Sequence, residues 1–181
     1  MQNPFLIGEQ VYFRALEEAD APCPVQWLND PEVNRTLMVG NFPLNLLREQ
    51  DFIRKLYTDQ KSLILAIVLK DGDRYIGNTG LHDIHPVHRV ATFGIVIGEK
   101  DCWGKGYGTE ATRLMVRHGF ETLNLNRISL NVYDYNERGI RAYEKAGFKK
   151  EGVLRKALYA EGAYHDVIVM GILREEWNEK S

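Results

Sequence analysis

The spacing of apolar residues changes along this chain, and each change marks a new kind of element. Val11 and Phe13 alternate with Tyr12 and Arg14 over residues 9–16, the period of two expected of a strand. Residues 17–38 carry helical patches that Pro22 and Pro24 interrupt or delay, and Asn29-Asp30-Pro31 predicts a turn before a short helix. Leu46, Leu47, Phe52, Ile53 and Leu56 form a helical stripe within residues 45–57. The pattern then turns to β. Leu63 to Leu69 is an apolar run, Asp71-Gly72-Asp73 a tight turn and Arg74 to His82 a returning strand, together a hairpin. Val90 to Ile97 is a further strand, ending at Gly98. Over residues 109–120, Ala111, Leu114, Met115 and His118 share one helix face. Ile128 to Tyr133 reads as a strand and residues 136–146 as a helix, with Gly147 where a left-handed terminator belongs. Two more strands follow between Phe148 and Leu173, the last from Val167. Early strands in meanders and later ones alternating with helices predict an α/β protein with a mixed sheet.

Composition narrows the class without changing this picture. A length of 181 residues with no linker, repeat or low-complexity stretch predicts one domain over residues 1–181. A content of 44% hydrophobic and 27% charged residues supplies an ordinary core. The formal net charge of −2 does not mark a nucleic-acid binder. The longest apolar run, Leu63 to Leu69, falls well short of the ~18 residues of a membrane span. Residues 1–10 have neither the basic start nor the apolar stretch of a secretory signal. Cys23 and Cys102 make no disulfide framework and have no metal-site spacing. The expectation is a cytoplasmic protein that engages neither membrane nor nucleic acid directly. No pattern speaks to oligomeric state, for which a homodimer is the common default.

The most informative segment is Trp103-Gly104-Lys105-Gly106-Tyr107-Gly108-Thr109-Glu110-Ala111, which follows a strand and opens a helix. Glycines at every second position allow positive φ and let a bulky anion approach with no Cβ in the way. The free N–H groups of the turn and helix start then face that anion, and Lys105 adds charge. Such a nest suits a pyrophosphate. The spacing around Lys105 is not that of a P-loop. Gly106-x-Gly108-x-x-Ala111 with Asp134 downstream does satisfy a dinucleotide fingerprint, but only one further helix follows, and that fingerprint should begin a βαβαβ half. The bland alternative is a turn that only reverses the chain.

A second signal is Asn136-Glu-Arg-Gly-Ile-Arg-Ala-Tyr143, ending at Gly147-Phe148. Asn136 is a good N-cap, and Asn136, Ile140 and Tyr143 fall on one helical stripe, with Asn136 and Tyr143 about 10 Å apart along the axis. An extended ligand beside the helix would meet both polar tips. Taken alone, the pair also fits a simple cap and a core aromatic.

Together the two segments resemble the GCN5-related N-acetyltransferases. Their (Gln/Arg)-x-x-Gly-x-(Gly/Ala) loop lines up with Trp103 to Gly108, Trp103 standing at the first position. Their Asn-x-x-Ala-x-x-x-Tyr-x-x-x-Gly-Phe helix lines up with Asn136 to Phe148, Gly139 standing where Ala or Ser is usual. The Trp-Gly-Lys-Gly-Tyr-Gly-Thr-Glu-Ala string and the tail from Arg155 to Trp177 look like the ribosomal-protein N-terminal acetyltransferases, with spermidine acetyltransferases as close relatives. The likeness runs over about residues 8–177 and is weakest over residues 21–47, where acceptor specificity would be built.

The resemblance implies a mixed, twisted sheet splayed near its centre, with helices on both faces and acetyl-CoA as co-substrate without a metal. It implies a coenzyme A pyrophosphate on Trp103, Gly104, Lys105, Gly106, Tyr107, Gly108 and Thr109. The pantetheine arm would lie against Asn136 and the backbone of Ile95, Val96 and Ile97, whose bulged strand offers an N–H to the oxyanion. Tyr143 would donate a proton to the departing thiolate; a phenol with a pKa near ~10 is protonated at neutral pH. The amine would attack the thioester directly, through a tetrahedral oxyanion. The acceptor implied first is a protein or peptide N-terminus, such as that of a ribosomal protein. Spermidine or another small amine is the alternative, and a non-catalytic acyl-CoA-binding module is the rival from outside enzymology.

A base for the amine is harder to find. Relatives in the subgroup carry a glutamate where this chain has Thr92, leaving His82, Asp83, His85, His88 and Asp134 as candidates. The His82-x-x-His85-x-x-His88 spacing invites a metal reading, but no cysteine or carboxylate pattern completes it. Glu17, Glu18, Asp20 and Asp30 form an acidic cluster that would attract a polyamine or simply be a solvated face.

Overall fold

The computed structural model describes residues 1–37 and 42–178. Met38, the last residue of the patchy helical segment, and residues 39–41 of the expected acceptor region lie outside the described residues. The strands are β1 (Leu6–Ile7), β2 (Val11–Ala15), β3 (Leu63–Leu69), β4 (Tyr75–His85), β5 (Val90–Ile97), β6 (Arg127–Tyr133), β7 (Lys149–Ala160) and β8 (Ala163–Leu173). They form one sheet in the order β1-β2-β3-β4-β5-β6-β8-β7. Every neighbouring pair is antiparallel except β5–β6. The helices are α1 (Pro22–Asn29), α2 (Pro31–Asn34), α3 (Leu46–Leu56), α4 (Tyr107–Glu121), α5 (Glu137–Ala146) and α6 (Arg174–Asn178).

Both sheet faces are covered, as expected of this class. On one face Phe13, Ile67, Leu81 and Phe93 pack with Ala111, Leu114 and Met115 of α4. On the other, Tyr12, Ala66 and Val68 meet Ile53 of α3. The alternation in β2 therefore separates two cores and not a core from water. Tyr12 is buried, and Arg14 keeps its charge there by a two-pronged pair with Asp20, both contacts at 2.7 Å. Pro22 and Pro24 do not break α1 because they sit in its first turn, where backbone N–H groups have no helical partner anyway. Asp30 caps α2, accepting from the Glu32 N–H at 2.8 Å.

One feature of the sheet makes the site. β5 pairs with β6 only through Val90–Arg127, Ala91–Ile128 and Thr92–Ser129. Beyond Thr92 the two strands part. β5 stays with β4 as far as Ile97 opposite Gly77, and β6 stays with β8 as far as Tyr133. The sheet is thus split near its middle, and the split opens toward the start of α4.

Candidate active site

The free edge of β5 follows from its register. The Gly98 N–H donates to the Ile76 carbonyl at 2.9 Å, so the alternation of an antiparallel ladder turns Val96 and Gly94 toward β4. The N–H and C=O groups of Ile95 and Ile97 then face the split. Trp103 claims one of them, its indole Nε1 donating to the Ile97 carbonyl at 2.7 Å. The indole thereby ties the glycine turn to the end of β5. Gly98 is glycine for a different reason: a Cβ there would lie 1.9 Å from the Trp27 ring.

Two of the three glycines in the turn need their freedom. Gly104 has φ +75° and Gly106, the N-cap of α4, has φ +91°, both in the left-handed region. No atom lies within 4 Å of where their Cβ atoms would be. Gly108 has no positive φ, and a Cβ there would meet Ile97 Cγ1 at 3.8 Å. The helix that begins here runs for 15 residues, so its first N–H groups carry the positive end of a long dipole. Glu110 in the first turn does not cancel it across the cavity. Its carboxylate instead accepts from the Gln10 and Val11 N–H groups, at 2.9 and 3.2 Å.

At the head of α5, Asn136 Oδ1 accepts from the Gly139 N–H at 3.0 Å. A Cβ at residue 139 would come within 2.7 Å of Asn136 Nδ2, which gives Gly139 a reason in this chain: the cap folds directly over it. Further along, Tyr143 is wedged edge-on against Phe93 and Phe148, at 6.1 Å between centroids in each case. Burial pushes its phenol pKa up to about 12, and its hydroxyl has no hydrogen-bond partner among the described residues.

A cavity of about 450 Å³ joins these parts. It is lined by Ile95, Val96 and Ile97 of β5, by Trp103, Gly104, Gly106, Gly108 and Thr109 of the turn and helix start, and by Asn136 and Tyr143 of α5. Lys105 and Tyr107 are not part of its wall: Lys105 is exposed, and the Tyr107 ring packs against the main core. Val33, Thr36 and Leu37 close the cavity from the α2 side. The backbone of the last turn there is tethered by Tyr133 Oη to the Leu37 carbonyl at 3.2 Å and Tyr135 Oη to the Arg35 carbonyl at 2.8 Å. Sequence reasoning missed these residues, and also Arg138, whose guanidinium stacks 3.8 Å over the Trp103 ring inside the cavity. Its place two positions after Asn136 was the available signal.

The remaining candidates separate cleanly. His85, the last residue of β4, and His88, in the exposed turn that follows, stack on each other at 4.2 Å at the closed end of the sheet. Asp83 is exposed with φ +51°, and Asp134 accepts from the Asp166 N–H at 3.1 Å. His82 alone of the five lies over the split strand, its Nε2 3.1 Å from where a Cβ on Gly94 would sit. Among the described residues no group of three or more His, Cys, Asp or Glu could hold a metal. The acidic cluster is largely occupied: Asp20 pairs with Arg14, Glu18 with Arg54 and Asp30 with Lys100, each at 2.7 Å.

A split mixed sheet, a glycine turn opening a long helix and a phenol beside the gap with no partner among the described residues define an acyl-transfer enzyme of the α/β class. Comparison with known proteins gives the family. Residues 10–149 match the acetyltransferase (GNAT) domain. An uncharacterized N-acetyltransferase, p20, of Bacillus licheniformis is 31% identical over 95% of this chain and 97% of its own. A Bacillus subtilis protein provisionally named ribosomal N-acetyltransferase YdaF is 31% identical over 94% of this chain and 95% of its own. Among solved structures, a Vibrio cholerae spermidine N-acetyltransferase in complex with CoA and spermine is similar with a TM-score of 0.86 and 26% identity, covering 93% of this chain and 98% of that one. The chain belongs to the GNAT acetyltransferase family and is an acetyl-CoA-dependent N-acyltransferase.

Proposed function

We propose that the chain acetylates the α-amino group of a protein or peptide N-terminus, such as that of a ribosomal protein. The split between β5 and β6, with its paired glycines and free phenol on one cavity, carries the acetyl-transfer part of this reading. Gly104, Gly106 and the N–H groups at the start of α4 fit a pyrophosphate, since no Cβ intrudes and the helix dipole favours an anion. Arg138, its guanidinium 3.8 Å from the Trp103 ring centroid, adds a cation to the cavity wall. Asn136, with its Oδ1 spent on the Gly139 N–H, offers its Nδ2 to the pantetheine arm. The gap-facing N–H groups of β5 stabilise negative charge on the acetyl oxygen. Tyr143 gives its proton to the departing thiolate, and its raised pKa keeps that proton in place at neutral pH.

The choice of acceptor rests on charge. A polyamine needs free carboxylates, and three of the four in the acidic cluster are already paired with this chain's own cations. An α-amine has a pKa near ~8, against ~10 for lysine-like amines, so a useful fraction is neutral at pH 7. The likeness to a spermidine N-acetyltransferase structure favours spermidine as the second reading. The two separate in a competition assay with acetyl-CoA, a short peptide and spermidine, products being resolved by mass spectrometry. Higher kcat/KM on the peptide at pH 7, with the preference narrowing toward pH 9, is expected. Exclusive acetylation of spermidine at pH 7 would contradict the proposal.

A further inference from the structure

The residues that receive the acetyl thioester account for one proton, the one Tyr143 delivers. The amine must lose another, and Thr92, on β5 just before the split, has no group to take it. Thr92 pairs directly with His82 on β4. Directly opposed residues in an antiparallel pair present their side chains on the same face, with Cβ atoms about 5 Å apart. The imidazole therefore occupies the space beside Thr92. It also leans along β5, because residue 94 is glycine: Nε2 stands 3.1 Å from the missing Cβ position and Cδ2 3.5 Å from it. Any side chain at 94 would push the ring away. The neighbouring residue is Ile95, whose backbone faces the split. The imidazole is half-buried, and it has no hydrogen-bond partner among the described residues, so neither nitrogen is committed to a structural role.

We infer that His82 is the general base for the acceptor amine, sitting on the sheet face covered by α1 and α3, across β5 from the thioester cavity. The amine nitrogen forms its bond to the acetyl carbon and passes one proton to His82, while the carbon–sulfur bond breaks and the Tyr143 hydroxyl protonates the sulfur. His82 then releases its proton and Tyr143 recovers one through solvent. Burial lowers the imidazole pKa, partly opposed by Asp83 next to it and Asp59 on the segment after α3. The ring is consequently neutral and able to accept at pH 7.

This inference rests on the acetyl-transfer reading above, and the test separates the two. In the wild-type protein, log kcat/KM should fall with one proton below the pKa of the amine, a break that moves when the amine is changed. A second break should lie below ~6.5 and stay with the enzyme. The C2 proton of His82, followed by NMR, should titrate at that second midpoint. His82→Gln should lose the second break and at least about 10-fold in kcat/KM at pH 7, with coenzyme A affinity unchanged. A His82→Gln variant that keeps both the rate and the second break overturns the base. So does an NMR midpoint well away from the kinetic one, a result that does not depend on any variant folding. A wild-type protein that acetylates no amine at any pH overturns the functional reading, and the base with it.

Discussion

At the scale of single residues, Tyr143 is where packing and chemistry coincide. Its ring is held between Phe93 and Phe148, while its hydroxyl has no partner among the described residues. Desolvation disfavours the phenolate, so the folded pKa is raised to about 12 and the proton-donating form persists through the neutral and mildly alkaline range. Tyr143→Phe removes the proton and keeps the wedge. The expected result is a fall in kcat of ~10²-fold or more with little change in coenzyme A affinity, and no alkaline break from Tyr143 in the wild-type profile below about pH 10. Steady-state kinetics and calorimetry on the folded variant check this; an unchanged kcat removes Tyr143 from the reaction. Helical spacing put Asn136 and Tyr143 on one stripe, but that alone also fits a cap and a core aromatic, and the expected roles came from the family resemblance. Arg138 was not legible in the sequence, because stacking on Trp103 depends on two segments meeting in space.

At the scale of elements, the glycine turn and α4 act as one piece. The sequence shows three alternating glycines, and nothing in that spacing says which ones bend the chain. Gly104 and Gly106 do so, with positive φ and open space in front of them, whereas Gly108 lies against Ile97. Gly106→Val would place a branched side chain in the cavity and force a β-branched residue into the left-handed region. Coenzyme A binding should weaken at least ~10-fold, about 1.4 kcal/mol, as read by calorimetry. Wild-type affinity in a folded variant would mean that the glycines serve only the chain. Strand ends were less legible than the turn. β4 continues past His82 to His85, and β8 begins at Ala163, ahead of the expected Val167, because pairing partners and not local propensity decide where a strand starts and stops.

At the scale of the whole molecule, the candidate site is made by a sheet whose two middle strands part beyond Thr92. An apolar run such as Val90 to Ile97 predicts a strand but not that half of it lacks a neighbour on one side. The alternation of Tyr12 with Phe13 likewise hid a second core, which only α3 lying across β2 and β3 reveals. The mixed topology was readable from the order of elements; the split was readable only through family resemblance. Coenzyme A is expected to lie in that split, between the free edge of β5 and the head of α4. Titrating coenzyme A into the protein while following backbone amide NMR shifts tests it most directly. The largest shifts are expected at Ile95 and Ile97, at Gly104 to Thr109 and at Gly139. Saturable binding that leaves those amides unmoved and shifts others would contradict it.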